Sequence, residues 1–263
     1  MIMQQAQENS TFNDDLISSE EAEELEKKYV NQVYEKIADH FCSTRYKAWP
    51  KVAEFLQNIP PGSLIFDIGC GNGKNMNHSI GCYEIGCDAS YNLSKHCSGK
   101  SEVLVADCLK LPFRDDCADV VICIAVIHHM STKERRKKAI QEILRVLHPK
   151  GQCLVYVWSM KQEGPKGSSA YLKKSREPLS ILESKVEEIK LSNSRTIQMP
   201  VHKNRTEFSS KDILVPFKSG DKVEHRFYHL FQENELEDLI KDCGSNIIKS
   251  YYDDGNWCAV FEK

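Results

Sequence analysis

Apolar positions follow two different rhythms along this 263-residue chain. Leu25, Tyr29, Val33, Ile37 and Phe41 recur at every fourth position, the single stripe of an amphipathic helix. Ser18-Ser19-Glu20-Glu21, just ahead of that stripe, has the spacing of a capping box and sets the expected helix start. A second, shorter helix is expected to begin near Pro50 and to end before Pro60-Pro61-Gly62. From there the rhythm changes to short, nearly continuous apolar runs at residues 64–68, 83–87, 102–106, 120–127 and 153–158. Runs of that length with turn residues between them read as buried strands. Ser131-x-x-Glu134 is expected to cap the clearest helix of this region, with Ile140, Ile143, Leu144 and Leu147 on one face and Pro149-Lys150-Gly151 as its stop. Strand and helix in alternation imply a parallel sheet with helices on both faces.

The two ends and one internal stretch depart from this order. Residues 1–17 are polar and are expected to form a disordered tail, with a single domain over 18–263. Residues 161–198 are rich in Lys, Ser and Glu and are expected to form a mobile insertion, with the ordered fold resuming at Met199-Pro200-Val201-His202. Near the end a helix is expected over residues 233–242. After it, two β-rich runs flank Asp253-Asp254-Gly255-Asn256, a hairpin signal.

Composition narrows the class only a little. Hydrophobic content of 41%, charged content of 28% and a net charge of −3 are ordinary for a globular protein and exclude bulk coating of nucleic acid. A local basic patch remains compatible with that balance. Eleven cysteines are present, but Cys123, Cys153 and Cys258 sit inside apolar strands and no C-x-x-C pair occurs. An odd cysteine count with no apolar leader points to a reducing compartment, so the expected location is cytoplasmic or nuclear, with no membrane span.

The chemistry concentrates where the first core strand breaks. Asp67-Ile68-Gly69-Cys70-Gly71-Asn72-Gly73-Lys74 places three glycines at alternate positions after a buried run. Glycine tolerates positive φ and leaves room for ligand atoms to approach the backbone. A P-loop would need glycine at position 68 and Ser or Thr at 75, where Ile68 and Asn75 stand. A dinucleotide fingerprint would need its third glycine at Lys74. What remains, Asp-x-Gly-x-Gly-x-Gly, resembles motif I of the class I S-adenosylmethionine-dependent methyltransferases. That resemblance implies a Rossmann-like seven-stranded sheet ending in an antiparallel hairpin. Asp88 and Asp107 end the next two strands, so three aspartates fall at three successive strand ends, matching one ligand across the carboxyl edge of a sheet. The expected cofactor residues are therefore Asp67, Gly69, Gly71, Gly73, Asp88 (ribose hydroxyls), Asp107 with Cys108 (adenine) and Ala125.

Further blocks sharpen the likeness. They are Tyr29-Val30 to Tyr34, Thr44-Arg45-Tyr46-Lys47-Ala48-Trp49-Pro50, Ile124-Ala125-Val126-Ile127-His128-His129 and Tyr156-Val157-Trp158-Ser159-Met160. Pro200-Val201-His202-Lys203-Asn204-Arg205-Thr206, Asp212-Ile213-Leu214-Val215-Pro216 and Ser250-Tyr251-Tyr252-Asp253-Asp254-Gly255-Asn256-Trp257-Cys258 complete the set. Over about residues 25–160 and 199–262 the chain resembles the transfer-RNA wobble-uridine carboxymethyl methyltransferases of the yeast tRNA methyltransferase 9 type, in the stand-alone form. The same domain occurs in an animal AlkB-homologue fusion protein. Ala48 departs from the proline expected before Trp49, and the 161–198 composition is this chain's own.

The resemblance implies an S-adenosylmethionine-dependent enzyme that esterifies the carboxylate of 5-carboxymethyluridine at the wobble position of transfer RNA. It implies two partners: the anticodon loop, and a small zinc-binding activator protein that makes a heterodimer along the edge strand near residues 103–105. A carboxylate acceptor is ionised at neutral pH, so the site needs cationic and hydrogen-bonding groups more than a base. The candidates are Arg45, His128, His202, Asn204, Arg205 and Asn256, with Tyr46, Trp49 and Trp257 available to stack on an unpaired base. No metal-ligand spacing accompanies them. Two other readings share the cofactor loop: a small-molecule carboxyl or C-methyltransferase, and a catalytically silent RNA- or partner-binding platform.

Overall fold

The computed structural model describes residues 10–13, 16–97, 101–164, 167–173, 185–203 and 205–263. After a two-residue strand β1 (Ser10–Thr11), helix α1 (Ser19–Glu26) runs through a π turn at Lys27–Asn31 into α2 (Gln32–Thr44), and α3 (Pro50–Gln57) follows. The alternating core comprises β2 (Leu64–Ile68), β3 (Tyr83–Asp88), α4 (Tyr91–Lys95), β4 (Glu102–Val105), β5 (Ala118–Ile124), α5 (Lys133–Val146) and β6 (Leu147–Trp158). Next come β7 (Glu163–Gly164), β8 (Gly167–Ser168) and α6 (Ala170–Lys173). Two hairpins, β9 (Val186–Lys190) with β10 (Thr196–Pro200) and β11 (Asp212–Ser219) with β12 (Lys222–His229), lead to α7 (Glu235–Asp242). The closing strands are β13 (Asn246–Asp253) and β14 (Asn256–Glu262).

Seven strands form the main sheet in the order β13-β14-β6-β5-β2-β3-β4. The five strands from β6 to β4 pair in parallel, and β14 joins β6 antiparallel before turning back as β13. This is the class I methyltransferase arrangement. The order reverses between β2 and β5, which leaves a crevice above their carboxyl ends, where open α/β sheets bind ligands. Ile68, Val121, Cys123, Val155 and Phe261 fill one face against α5 and α7, while Ile65, Ile122, Leu154 and Tyr156 fill the other against α3.

Ser18 caps α1 with the reciprocal Glu21 contact that the spacing implied. The stripe from Leu25 to Ile37 is buried as expected, but not along one regular helix. Strict four-residue spacing drifts around a 3.6-residue helix, and the wider π turn takes up part of that drift. The cap of α5 shifts by one residue from expectation: Thr132 accepts the Arg135 N–H, because Ser131 is spent on the Glu26 carboxylate through both its N–H (2.7 Å) and its hydroxyl (2.9 Å).

The expected mobile insertion needs correction. Residues 174–184 lie outside the described residues, but β9 and β10 pair antiparallel over Thr196↔Lys190 to Pro200↔Val186. Their alternating Ile189, Ile197 and Met199 pack with Leu25, Tyr29 and Phe227 in one apolar cluster. Part of the expected tail is also engaged, since β1 pairs in parallel with β10.

Candidate functional site

A cavity of about 840 Å³ opens above the carboxyl ends of β2, β3 and β5 and is roofed by the α1–α2 segment. Gly69 and Gly71 enter it with φ of 74° and 58°. A side chain at Gly69 would collide with Val126, whereas at Gly71 it would stand in open cavity space. The loop is therefore held tightly on its core side and left clear on its ligand side. Asp88 faces it: one carboxylate oxygen accepts the Gly71 N–H (2.9 Å) and the other the Ser90 N–H (2.8 Å). Burial pushes the Asp88 pKa up, while these two N–H groups pull it down. Asp107, Cys108 and Ala125 line the same cavity, Asp107 accepting the Leu109 N–H at 2.8 Å and Ala125 held at φ 63°.

Asp67 and Gly73 support this cradle from beneath and do not line the cavity. Asp67 is 3% exposed with one carboxylate oxygen unpartnered, and burial beside Asp88 raises its pKa well above the carboxylate range. Gly73 lies against the Cys97 sulfur, 3.0 Å from where a Cβ would stand.

The acceptor side of the cavity is cationic and aromatic. Arg45 lies over Phe41 (4.7 Å) and Phe217 (5.2 Å), and its guanidinium donates to the Thr44 hydroxyl at 3.1 Å. Burial and the nearby Arg226 lower its pKa. Lys74, 5.3 Å from the Trp49 ring centroid, is brought down to about 8 by burial and by Arg45. Trp49 lines the cavity and also packs edge-on against Tyr156 at 5.3 Å.

His128 accepts the Trp158 N–H on Nδ1 (3.1 Å), so its neutral ring carries the proton on Nε2. Burial, with His129 and Arg226 close by, holds its pKa well below the usual value, and it stacks on Tyr228 at 4.8 Å. It is a neutral donor on the cavity wall. His129 is fixed in the opposite tautomer: Nδ1–H donates to the Phe227 carbonyl (2.7 Å) and Nε2 accepts from the Tyr34 hydroxyl (2.9 Å). Burial lowers its pKa to about 3.

Several expected residues fall elsewhere. His202 is 4% exposed and packs on Phe208 at 4.2 Å and Tyr171 at 6.0 Å, away from the cavity. Burial lowers its pKa to about 4, and Nε2 has no partner among the described residues. Asn256 donates to the carbonyls of Asp253 and Asp254 and shapes the terminal hairpin. Trp257 packs edge-on with Tyr252 at 4.9 Å, and Arg205 donates its N–H to the Tyr171 hydroxyl at 2.9 Å. Tyr46 is 68% exposed outside the cavity, and Asn204 lies outside the described residues. His202→Ala is accordingly expected to cost about 2 kcal/mol of stability and to leave cofactor affinity unchanged, as thermal denaturation and calorimetry would read. Glu26, Arg226 and Tyr228 line the cavity outside the sequence blocks, and Tyr34, which closes the first of those blocks, joins them with no site role expected of it. No local pattern marks Arg226 and Tyr228, because β12 meets the cavity only through the tertiary fold.

A family model described as a methyltransferase domain matches residues 66–155. The tRNA (carboxymethyluridine(34)-5-O)-methyltransferase of Schizosaccharomyces pombe is 36% identical, over 91% of this chain and 98% of its own length. The Arabidopsis thaliana protein of the same name is 34% identical, over 94% of this chain and 83% of its own. The chain belongs to this family. The same-named ALKBH8 protein of Macaca fascicularis is 40% identical, and the chain spans only 45% of that relative's length. Among solved structures, one titled as a complex between the Haloferax volcanii Trm112 methyltransferase activator and the "putative methyltransferase" aligns at a TM-score of 0.53 and 15% identity, over 87% of this chain and 96% of the other. That likeness shows the fold alone.

S-adenosylmethionine is the cofactor of this methyltransferase fold, and the residues present fit it. The clear space at Gly71 would take the methionine portion. Asp88 would hold the ribose, and Asp107 with Cys108 the adenine.

Proposed function

We propose that the chain methyl-esterifies the carboxylate of 5-carboxymethyluridine at the wobble position of transfer RNA. The observation that carries this reading is Arg45, a half-buried guanidinium on the wall of the cofactor cavity with no carboxylate partner among the described residues. A cation left without an anion beside a methyl-donor site is suited to an anionic acceptor. When bound, S-adenosylmethionine supplies a methyl group whose carbon–sulfur bond breaks as a carboxylate oxygen bonds to the carbon, leaving a neutral ester and a neutral thioether. The acceptor arrives ionised, so the chain need not remove a proton. Arg45 positions the carboxylate, and neutral His128 donates a hydrogen bond without competing for the methyl group. Trp49 offers a face for the extruded base. Incubation with carboxymethyluridine-containing transfer RNA, followed by nucleoside mass spectrometry, tests the reading. Ester formation supports it, and cofactor binding without ester on any wobble uridine overturns it.

The edge of the sheet supports a partner. β4 ends the sheet, and Leu104 and Val105 are 44% and 55% exposed. An open apolar edge pairs readily with another strand, and the proposed occupant is a small zinc-binding activator protein. Leu104→Glu is expected to weaken that complex at least about tenfold while leaving cofactor affinity intact. Pull-down and calorimetry check it, and undiminished association counts against this edge.

A further inference from the structure

Arg226, on β12, is the second cation of the cavity wall and has the more unusual surroundings. It is 4% exposed and enclosed by the rings of Tyr228 (5.1 Å), Phe217 (5.2 Å) and Tyr34 (5.8 Å). Burial alone would lower its pKa; the tyrosines around it keep it raised and charged. No carboxylate pairs with it among the described residues. Among the described residues its guanidinium makes one hydrogen bond, from Nη1 to the Tyr34 hydroxyl at 3.3 Å. That hydroxyl is itself committed, its proton going to His129 Nε2, whose ring is fixed in turn by the Phe227 carbonyl. The Tyr34 oxygen is therefore left only to accept, and it holds Nη1 in place. Nε is enclosed and unpartnered, and Nη2 makes no hydrogen bond among the described residues. Nη2 and the guanidinium charge are therefore what Arg226 has left to offer an anion.

A buried charge without a counter-ion is costly, and a guanidinium held in place by a three-residue relay is preorganised for an anion. We infer that Arg226 is the specificity-determining residue of the acceptor pocket, reading the negative charge of the uridine carboxylate and rejecting the isosteric amide. The inference rests on the functional reading above and deepens it. An amide carries no charge, so the guanidinium would remain uncompensated. A site built on paired polar groups rejects such an analogue more strongly than an apolar pocket can. Arg45, at the partly exposed rim, lacks this relay and supplies charge without the same geometric demand.

The test uses the full chain loaded with S-adenosylhomocysteine and three synthetic anticodon stem–loops, carrying 5-carboxymethyluridine, 5-carbamoylmethyluridine or uridine. The wild-type protein is expected to bind the acid at least about tenfold more tightly than the amide. In Arg226→Gln the preference should collapse to about twofold or less, with uridine-RNA and cofactor affinities unchanged. Arg226→Lys, which keeps the charge but loses the guanidinium placed by Tyr34, should retain only part of the preference. This second variant, with the wild-type acid-to-amide ratio, decides the matter if Arg226→Gln does not fold. Undiminished discrimination in a folded Arg226 variant overturns the inference. So does a wild-type protein that turns over the acid yet binds acid and amide alike. Failure of the wild type to form ester at all falls instead on the functional reading.

Discussion

Asp88→Ala is expected to lower S-adenosylmethionine affinity at least about a hundredfold in a protein that remains folded. The carboxylate has two duties in one place. It fixes the glycine loop by accepting the Gly71 N–H and opens the following turn by accepting the Ser90 N–H. Its remaining lone pairs face the cavity, where two ribose hydroxyls would complete the set. Alanine leaves two backbone donors and both hydroxyls without acceptors, and hydrogen bonds to a charged group contribute about 1.5–3 kcal/mol each. Titration calorimetry with circular dichroism as the folding control reads the outcome. Near-wild-type affinity would remove the ribose from Asp88 and with it the proposed placement of the cofactor.

Arg45→Ala is the second large effect, of a different kind. Ester formation is expected to fall about a hundredfold, roughly 2.7 kcal/mol of lost transition-state stabilisation, while cofactor affinity holds. Folding stability should hold as well or rise slightly. Arg45 makes no ion pair among the described residues, and its charge is disfavoured by burial and by Arg226, so alanine removes a repulsion along with the ring contacts to Phe41 and Phe217. Single-turnover kinetics and a denaturation curve on the same preparation separate the two quantities. Normal turnover would return Arg45 to a packing role.

Much of the fold was legible because its signals are local. The run ending at Ile68 and the three alternate glycines located the cofactor loop. Asp254-Gly255, both with positive φ, form the two-residue turn that the Asp-Gly pair implied between β13 and β14. The β9–β10 hairpin was illegible for the opposite reason. Its outward residues include Glu188, Lys190, Thr196 and Gln198, and from its two strands Ile189, Ile197 and Met199 meet the core, too sparse an alternation to stand out. The site divides along the same line. Residues that touch the cofactor cavity from strand ends carry motif signals, whereas Arg226 reaches it only after a long hairpin folds back onto α2. His202 and Trp257 were misplaced because a buried aromatic or imidazole in a distinctive block reads identically whether it packs or binds.

The enclosure of Arg226 also bears on how a catalytic cycle ends. In the proposed reaction an anionic acid enters and an uncharged ester remains, so the partner that quieted the two guanidiniums has vanished at the moment of transfer. The wall that attracted the substrate has no such hold on what the substrate has become. Arg45 and Arg226 again face one another uncompensated. Discharge of the product is thereby coupled to the chemistry itself, with the ester's loss of charge acting as the release signal.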